Sequence, residues 1–160
     1  MKPVCLVIGA GAGGLCAAKH LLHSTKLTPV VFEQTEHIGG TWVYNEAVGL
    51  DKHGNPVHSS MYKNMKTNLP RETMAFPDYP FPCREGPSFL RHEEVREYLE
   101  SYCDHFQLRP ALRMEHCVEH VRSMGNNQWR VRVKDLNKQE VSEDDYAAVI
   151  VCNGHYSVPH

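Results

Sequence analysis

The chain opens on an apolar run, "PVCLVIG" (3 to 9), bounded by a proline and a glycine and offering no polar position to water. A strand apolar on both faces belongs inside a parallel sheet, so a buried strand is predicted there. Leu15, Ala18, Leu21 and Leu22 then recur at helical spacing with small residues between them, which predicts a tightly packed helix over 13 to 23. "TPVVFEQ" (28 to 34) reads as a second strand, and strand, helix, strand make a β-α-β unit with a right-handed crossover.

From about 39 to 91 the pattern changes. Gly39-Gly40 and prolines at 56, 70, 77, 80, 82 and 87 leave no sustained period. A loop that long in a compact protein is usually functional or wrapped around a ligand. "RHEEVREYLESYCDHF" (91 to 106) is helical, with Val95, Leu99, Tyr102 and Phe106 on one face and a charged, solvated face opposite. "CVEHVRSM", "QWRVRVKDL" and "KQEVSEDDY" alternate apolar and polar residues around a "GNN" turn at 125 to 127, predicting two or three antiparallel strands. The last apolar run, Tyr146 to Cys152, returns to the buried-strand pattern and leads into Asn153-Gly154. The expectation is an α/β fold whose parallel sheet is interrupted by a small antiparallel β-meander.

Composition narrows the field without choosing a function. The chain has 160 residues, enough to bury a core without disulfides. Its 17 basic and 19 acidic residues give a net charge of -2 with no long run of one sign, which speaks against a nucleic-acid or membrane-surface partner. The apolar opening is too short for a secretory signal or a membrane span, so the chain reads as cytoplasmic. Six cysteines without a C-x-x-C pair read as reduced, mostly buried thiols.

The first chemical signal is "GAGAGG", which fits G-x-G-x-x-G at Gly9, Gly11 and Gly14. The first glycine permits a tight turn, the second lets the backbone approach a pyrophosphate, and the third lets the helix pack on the strand. The helix amino terminus offers unpaired N–H groups to phosphates. Glu33 follows Gly14 by 19 residues, close to the spacing at which an acid bonds the adenosine ribose. A carboxylate there opposes a 2′-phosphate, so FAD or NAD is expected in this Rossmann-like site in preference to NADP. The next segment, "HIGGTWVY" (37 to 44), separates those two. Its Gly-Gly pair allows a second close backbone approach to an extended ligand, with an aromatic to wall it off.

With that segment the chain resembles the flavin-containing monooxygenase family. "VIGAGAGG", "FEQTEHIGGTWVY", "VHSSMYKNMKTNLPRETMAFPDYPFP" (57 to 82) and "VCNGHYSVP" carry the likeness over nearly the whole length. Glucosinolate S-oxygenase-like and insect alkaloid N-oxygenase-like members look closest. The resemblance implies an FAD enzyme that takes a hydride from NADPH, forms a flavin hydroperoxide with O2, and passes one oxygen to a soft nitrogen or sulfur nucleophile of a small molecule. It implies that Gly9, Ala10, Gly11, Ala12, Gly13 and Gly14 hold the FAD pyrophosphate and Glu33 the ribose. It puts Gly40, Thr41 and Trp42 near the flavin, and Thr67, Asn68 and Leu69 against flavin and nicotinamide. Asn68 is the expected catalytic residue, because its carboxamide both donates and accepts.

The family also leads one to expect a second G-x-G-x-x-G for NADPH and a Phe-x-Gly-x-x-x-His signature, and neither occurs in this sequence. Residues 1 to 160 therefore read as the amino-terminal FAD-binding part, truncated before an NADPH domain. An FAD-binding or regulatory module without turnover is an alternative. A distant NAD-dependent oxidoreductase is another, and the Gly39 to Trp42 loop argues against it. His116, Cys117 and His120 raise a metal reading, but on an alternating strand 116 and 120 merely share a face, and no metal site is expected. Cys152 reads as a buried strand thiol, and the prolines at 77, 80 and 82, with aromatics between them, as a packed segment.

Overall fold

The opening run forms strand β1 (Val4–Ile8), followed by helix α1 (Ala12–Ser24) and strand β2 (Thr28–Phe32), parallel to β1 with Leu6 opposite Val30 and Ile8 opposite Phe32. The computed structural model describes residues 3–24, 26–47, 49–57, 59–82 and 85–155. Cys83 and the closing residues 156–160 lie outside them. A 3-10 turn (Gly40–Trp42), a small hairpin of β3 (Gly49–Leu50) and β4 (Pro56–Val57), and the single-turn α2 (Arg71–Met74) occupy the stretch without period. Helix α3 (His92–His105) leads to β5 (Leu112–Arg113). The meander is β6 (His116–Gly125), β7 (Gln128–Asp135) and β8 (Glu140–Tyr146), and β9 (Ala148–Val151) closes the parallel sheet in the order β5-β2-β1-β9.

Alternation along β1 divides the molecule into three layers. Cys5 and Val7 face α1, where they meet Ala18, Leu21 and Val31, while Leu6 faces the meander and joins Phe32, Val131, Val133 and Tyr146. Leu6, Val7, Val31 and Val131 are fully buried, each contributing roughly 1.5–3 kcal/mol of transfer free energy. Both faces of the central strand are thus covered, as its unbroken apolar run requires.

The proline-rich segment packs on α3. Phe81 stacks on Tyr98 at 3.8 Å between ring centroids, and Phe76 lies 4.4 Å from Tyr102. The Tyr98 hydroxyl accepts the Phe76 N–H at 2.8 Å and donates to the Tyr79 carbonyl at 2.6 Å, so one side chain fixes both ends of the turn. Lys19 on α1 pairs with Asp78 and sits over the Phe106 ring. Of the expected apolar face of α3, Val95, Leu99 and Tyr102 are buried while Phe106 is the half-buried C-cap, and Tyr98, Cys103 and His92 join the buried set.

Two expectations need correcting. His116 and His120 do not share a face. Val118 pairs with Val133 but His120 with Arg132, a register shift that leaves Glu119 as an extra residue and turns the strand over. His116 therefore points inward and stacks on Phe32, while His120 is exposed. Among the described residues no group of His, Cys, Asp and Glu could hold a metal. The cysteines among the described residues are free, but of these only Cys5 and Cys103 are buried, with Cys16, Cys117 and Cys152 half-buried. The 125-to-127 turn is observed, with Asn126 and Asn127 both at positive φ as a two-residue hairpin demands. Among the described residues no helix is long and apolar enough to cross a membrane.

Glu115 joins three parts of the fold. Its carboxylate accepts from Lys52 at 2.6 Å, from His53 at 3.1 Å and from Asn137 at 2.6 Å, tying the β3–β4 hairpin to the loop after β7. The Lys52 hydrogen bond, then those of Asn137 and His53, hold this carboxyl down at about 2 from an ordinary 4.5. A depressed carboxyl stabilises the fold fully above its unfolded value and loses that contribution as pH falls towards the folded one. Glu115→Gln is expected to lower stability at neutral pH and flatten the loss between pH 4.5 and about 2, read by urea unfolding across that range. A second expectation concerns Tyr102, whose fully buried hydroxyl makes no hydrogen bond of good geometry, with the weak Cys16 thiol as its polar neighbour. Tyr102→Phe removes an unsatisfied group and should raise unfolding free energy by about 1 kcal/mol; a loss of that size would show the hydroxyl to be paired.

Candidate functional site

The turn after β1 is built from backbone that tolerates no side chains. Gly9 has φ +100, and a Cβ there would meet the Cys152 carbonyl oxygen at 2.5 Å, because the end of β9 passes directly over it. A Cβ on Gly14 would lie 1.8 Å from the Gly9 carbonyl oxygen, so α1 can dock on β1 only with glycine at that position. The Leu15 N–H bonds the Gly11 carbonyl at 3.0 Å and begins the helical ladder. The amides of residues 11 to 14 precede it and have no intrahelical acceptor, and the positive end of the helix dipole lies among them. Those amides are the donor set that an anionic phosphate group requires.

The second glycine pair docks on the first. Gly39 donates its N–H to the Ala10 carbonyl at 3.1 Å, and a Cβ on Gly40 would fall 3.1 Å from the Gly11 Cα. Gly40 and Thr41 are exposed, while Trp42 is half-buried on the cluster of Leu15, Ile38 and Tyr98. The Gly-Gly loop is thus held in place before any ligand is considered.

Glu33 stands just past β2 and is 8 % exposed. Its Oε2 accepts the Ala10 N–H at 2.8 Å, and its Oε1 accepts both the Thr35 N–H at 2.8 Å and the Thr35 hydroxyl at 2.9 Å. A carboxylate offers about four acceptor positions, so three are occupied and one remains on Oε2. The acid therefore has an internal role, joining the turn after β1 to the chain after β2. Beside it, a cleft of about 380 Å³ opens between residues 36 to 38, α3 and Met114. Cys152 is half-buried, and burial pushes its thiol up, which disfavours a reactive thiolate.

Thr67, Asn68 and Leu69 form a second locus, built on the segment that precedes α3. The Thr67 N–H donates to the Leu90 carbonyl at 2.8 Å, and the Leu90 N–H donates back to the Thr67 hydroxyl at 3.1 Å. Thr67 is buried, with its amide and its hydroxyl oxygen both engaged by Leu90, whereas Asn68 and Leu69 stand exposed. The structure brings Gly9 to Gly14, Glu33 and Gly40 together, and mounts Asn68 next to the Thr67–Leu90 pairing. Sequence reasoning passed over Thr35, Leu90 and His92. Only Thr35 left a signal, as a hydroxyl residue two positions after an acid.

The residues present fit an extended dinucleotide cofactor: amide donors at a helix amino terminus, two glycine loops in contact, and a carboxylate with one acceptor position free. Comparisons with known proteins agree. Flavin-containing monooxygenase FMO GS-OX5 of Arabidopsis thaliana is 40% identical over 166 residues, covering 96% of this chain and 35% of its own length. S-allyl-L-cysteine S-oxygenase from Allium sativum is 37% identical and superposes with a TM-score of 0.86 over 100% of this chain and 38% of its own. Cyclohexanone monooxygenase from Rhodococcus sp. Phi1, solved bound to NADP+, is 27% identical with a TM-score of 0.69, over 96% of this chain and 26% of its own. The chain thus spans little more than a third of the length of such relatives. The family model for flavin-binding monooxygenase-like proteins matches residues 2–160, and with the paired glycine loops and Glu33 in position, the chain belongs to that family.

Proposed function

We propose that these residues are the FAD-holding part of a monooxygenase that takes electrons from NADPH and passes one atom of O2 to a soft sulfur or nitrogen in a small molecule. The observation that carries this reading is the junction of Ala10 with Glu33 and Gly39, which sets amide donors, a carboxylate and a side-chain-free groove side by side. The names of the Arabidopsis and garlic relatives favour sulfur as the acceptor. The flavin, when bound, supplies the redox chemistry with NADPH and O2. The NADPH-binding domain lies, on this reading, in a further part of such a protein.

The chain's own residues bind, orient and exclude. The amides of residues 11 to 14 bind the pyrophosphate, and Gly11 and Gly40 let backbone approach it without a side chain between them. Glu33 offers the free acceptor position on Oε2 to a ribose hydroxyl, and its charge opposes a 2′-phosphate. Trp42 closes one side of the groove. The Asn68 carboxamide is exposed on a fixed loop, where it donates to one partner and accepts from another, and Leu69 beside it presents an apolar wall that keeps water out. The cysteines among the described residues are free, which suits a reducing compartment such as the cytoplasm.

Two expected outcomes test this. Titration of the chain with FAD, followed by quenching of flavin fluorescence, should give saturable binding that Glu33→Ala weakens tenfold or more, about 1.4 kcal/mol; unchanged affinity would remove Glu33 from the site. Asn68→Ala should leave FAD affinity and unfolding free energy within about 0.5 kcal/mol, because Asn68 is exposed. In a protein of the relatives' full length the same substitution should sustain NADPH oxidation while hydrogen peroxide replaces oxygenated product, and normal product yield would take that role away from Asn68.

A further inference from the structure

His92 is a buried imidazole that the chemistry above does not use. It is the first residue of α3 and only 4% exposed. A buried ring N–H must find an acceptor, and Nε2 lies 3.2 Å from the Lys63 carbonyl oxygen. A carbonyl accepts and never donates, so a bond there puts a proton on Nε2. The half-exposed Glu93 carboxylate is 3.4 Å from the same nitrogen. The main-chain N–H of His92 also reaches back, donating to the Met65 carbonyl at 3.3 Å.

One residue therefore holds the chain at positions 63 and 65, directly before the Asn68 loop. The pairing continues through a bridge between Lys66 and Arg91 and the two bonds between Thr67 and Leu90. On its other side the His92 ring lies against Tyr44, with centroids 5.6 Å apart and planes inclined by 50°. Tyr44 comes two residues after Trp42, at the end of the turn that Gly40 begins. The imidazole is thus wedged between the chain that leads into the Asn68 loop, which it hydrogen-bonds, and the chain that leaves the Gly40–Trp42 turn.

We infer that His92 is a positioning residue, which through its Nε2 bond to the Lys63 carbonyl and its ring contact with Tyr44 fixes the Asn68 loop relative to the Gly40–Trp42 turn. The functional meaning of that distance rests on the function proposed above; the mechanical coupling does not. A merely structural role at the start of α3 makes a different prediction, since it would loosen the helix and not the loops.

Amide hydrogen exchange on the 160-residue chain separates the two, using three variants. His92→Phe keeps a ring against Tyr44 but removes the donor, His92→Gln keeps a donor of similar reach, and His92→Ala removes both contacts. His92→Phe should speed exchange at the Met65 and Thr67 amides at least about tenfold and leave Trp42 and Val43 near their starting rates. His92→Gln should restore Met65 and Thr67, and His92→Ala should free both pairs of amides, with residues 95 to 103 of α3 unchanged in all three. Loops that stay protected in His92→Ala, or loosen only together with the whole of α3, overturn the inference. With FAD bound, the visible circular dichroism of the flavin should shift in His92→Phe and return in His92→Gln, and identical spectra in both would overturn it as well. A wild-type chain that binds no FAD would sink the proposed function, while the exchange rates would still decide the role of His92.

Discussion

Ala10 is fully buried, so its amide and its carbonyl must each find a partner inside the protein. The amide goes to Glu33 and the carbonyl to Gly39, and those two bonds join the ends of β1 and β2 to the Gly-Gly loop. An alanine has no side chain with which to arrange this, so the arrangement falls to its neighbours. Gly9 turns the chain, Gly14 admits the helix, and Glu33 is held from its other oxygen by Thr35. The candidate site is the outer surface of this junction, formed by the same bonds that join the two strands.

The layers divide the work. The helical side carries the aromatic packing of Phe76, Tyr79 and Phe81 on α3, which anchors the segment that follows the Asn68 loop. The meander side carries no residue of the site but buries Leu6 and Phe32, and so fixes the sheet whose strand ends present it. Charged groups hold the seams, with Glu115 between hairpin and meander and Lys19 with Asp78 between α1 and the proline-rich segment.

How much of this was legible in the sequence follows from the range of the forces involved. β1, α1 and β2 were readable because burial on both faces and helical period are local patterns, and the meander because alternation is local too. The roles of Gly9 and Gly14 were readable because backbone sterics act between near neighbours. The bulge at Glu119 was not, since its one local trace is the three-residue step from Val118 to Val121, and the register itself depends on β7. The anchoring of Thr67 is equally invisible in sequence, because the amide that bonds its hydroxyl belongs to Leu90, 23 positions away. His92 was hidden by its place among charged residues at a helix start, where a solvated face is the ordinary reading. The packing of Tyr98 on both Phe76 and Tyr79 is long-range in the same sense.

The passage of β9 over Gly9 has a kinetic meaning. Cys5 pairs with Ala148, so β1 and its parallel neighbour β9 are about 140 residues apart, and the pairing rewards the chain only after a very long loop has closed. The intervening helix and meander have mostly local contacts and shorten that search once they form. The Cys152 carbonyl, which fixes the space above Gly9, therefore arrives late in folding. The glycine turn after β1 gains its final walls from the strand furthest from it in sequence, and its shape is complete only when that strand has docked.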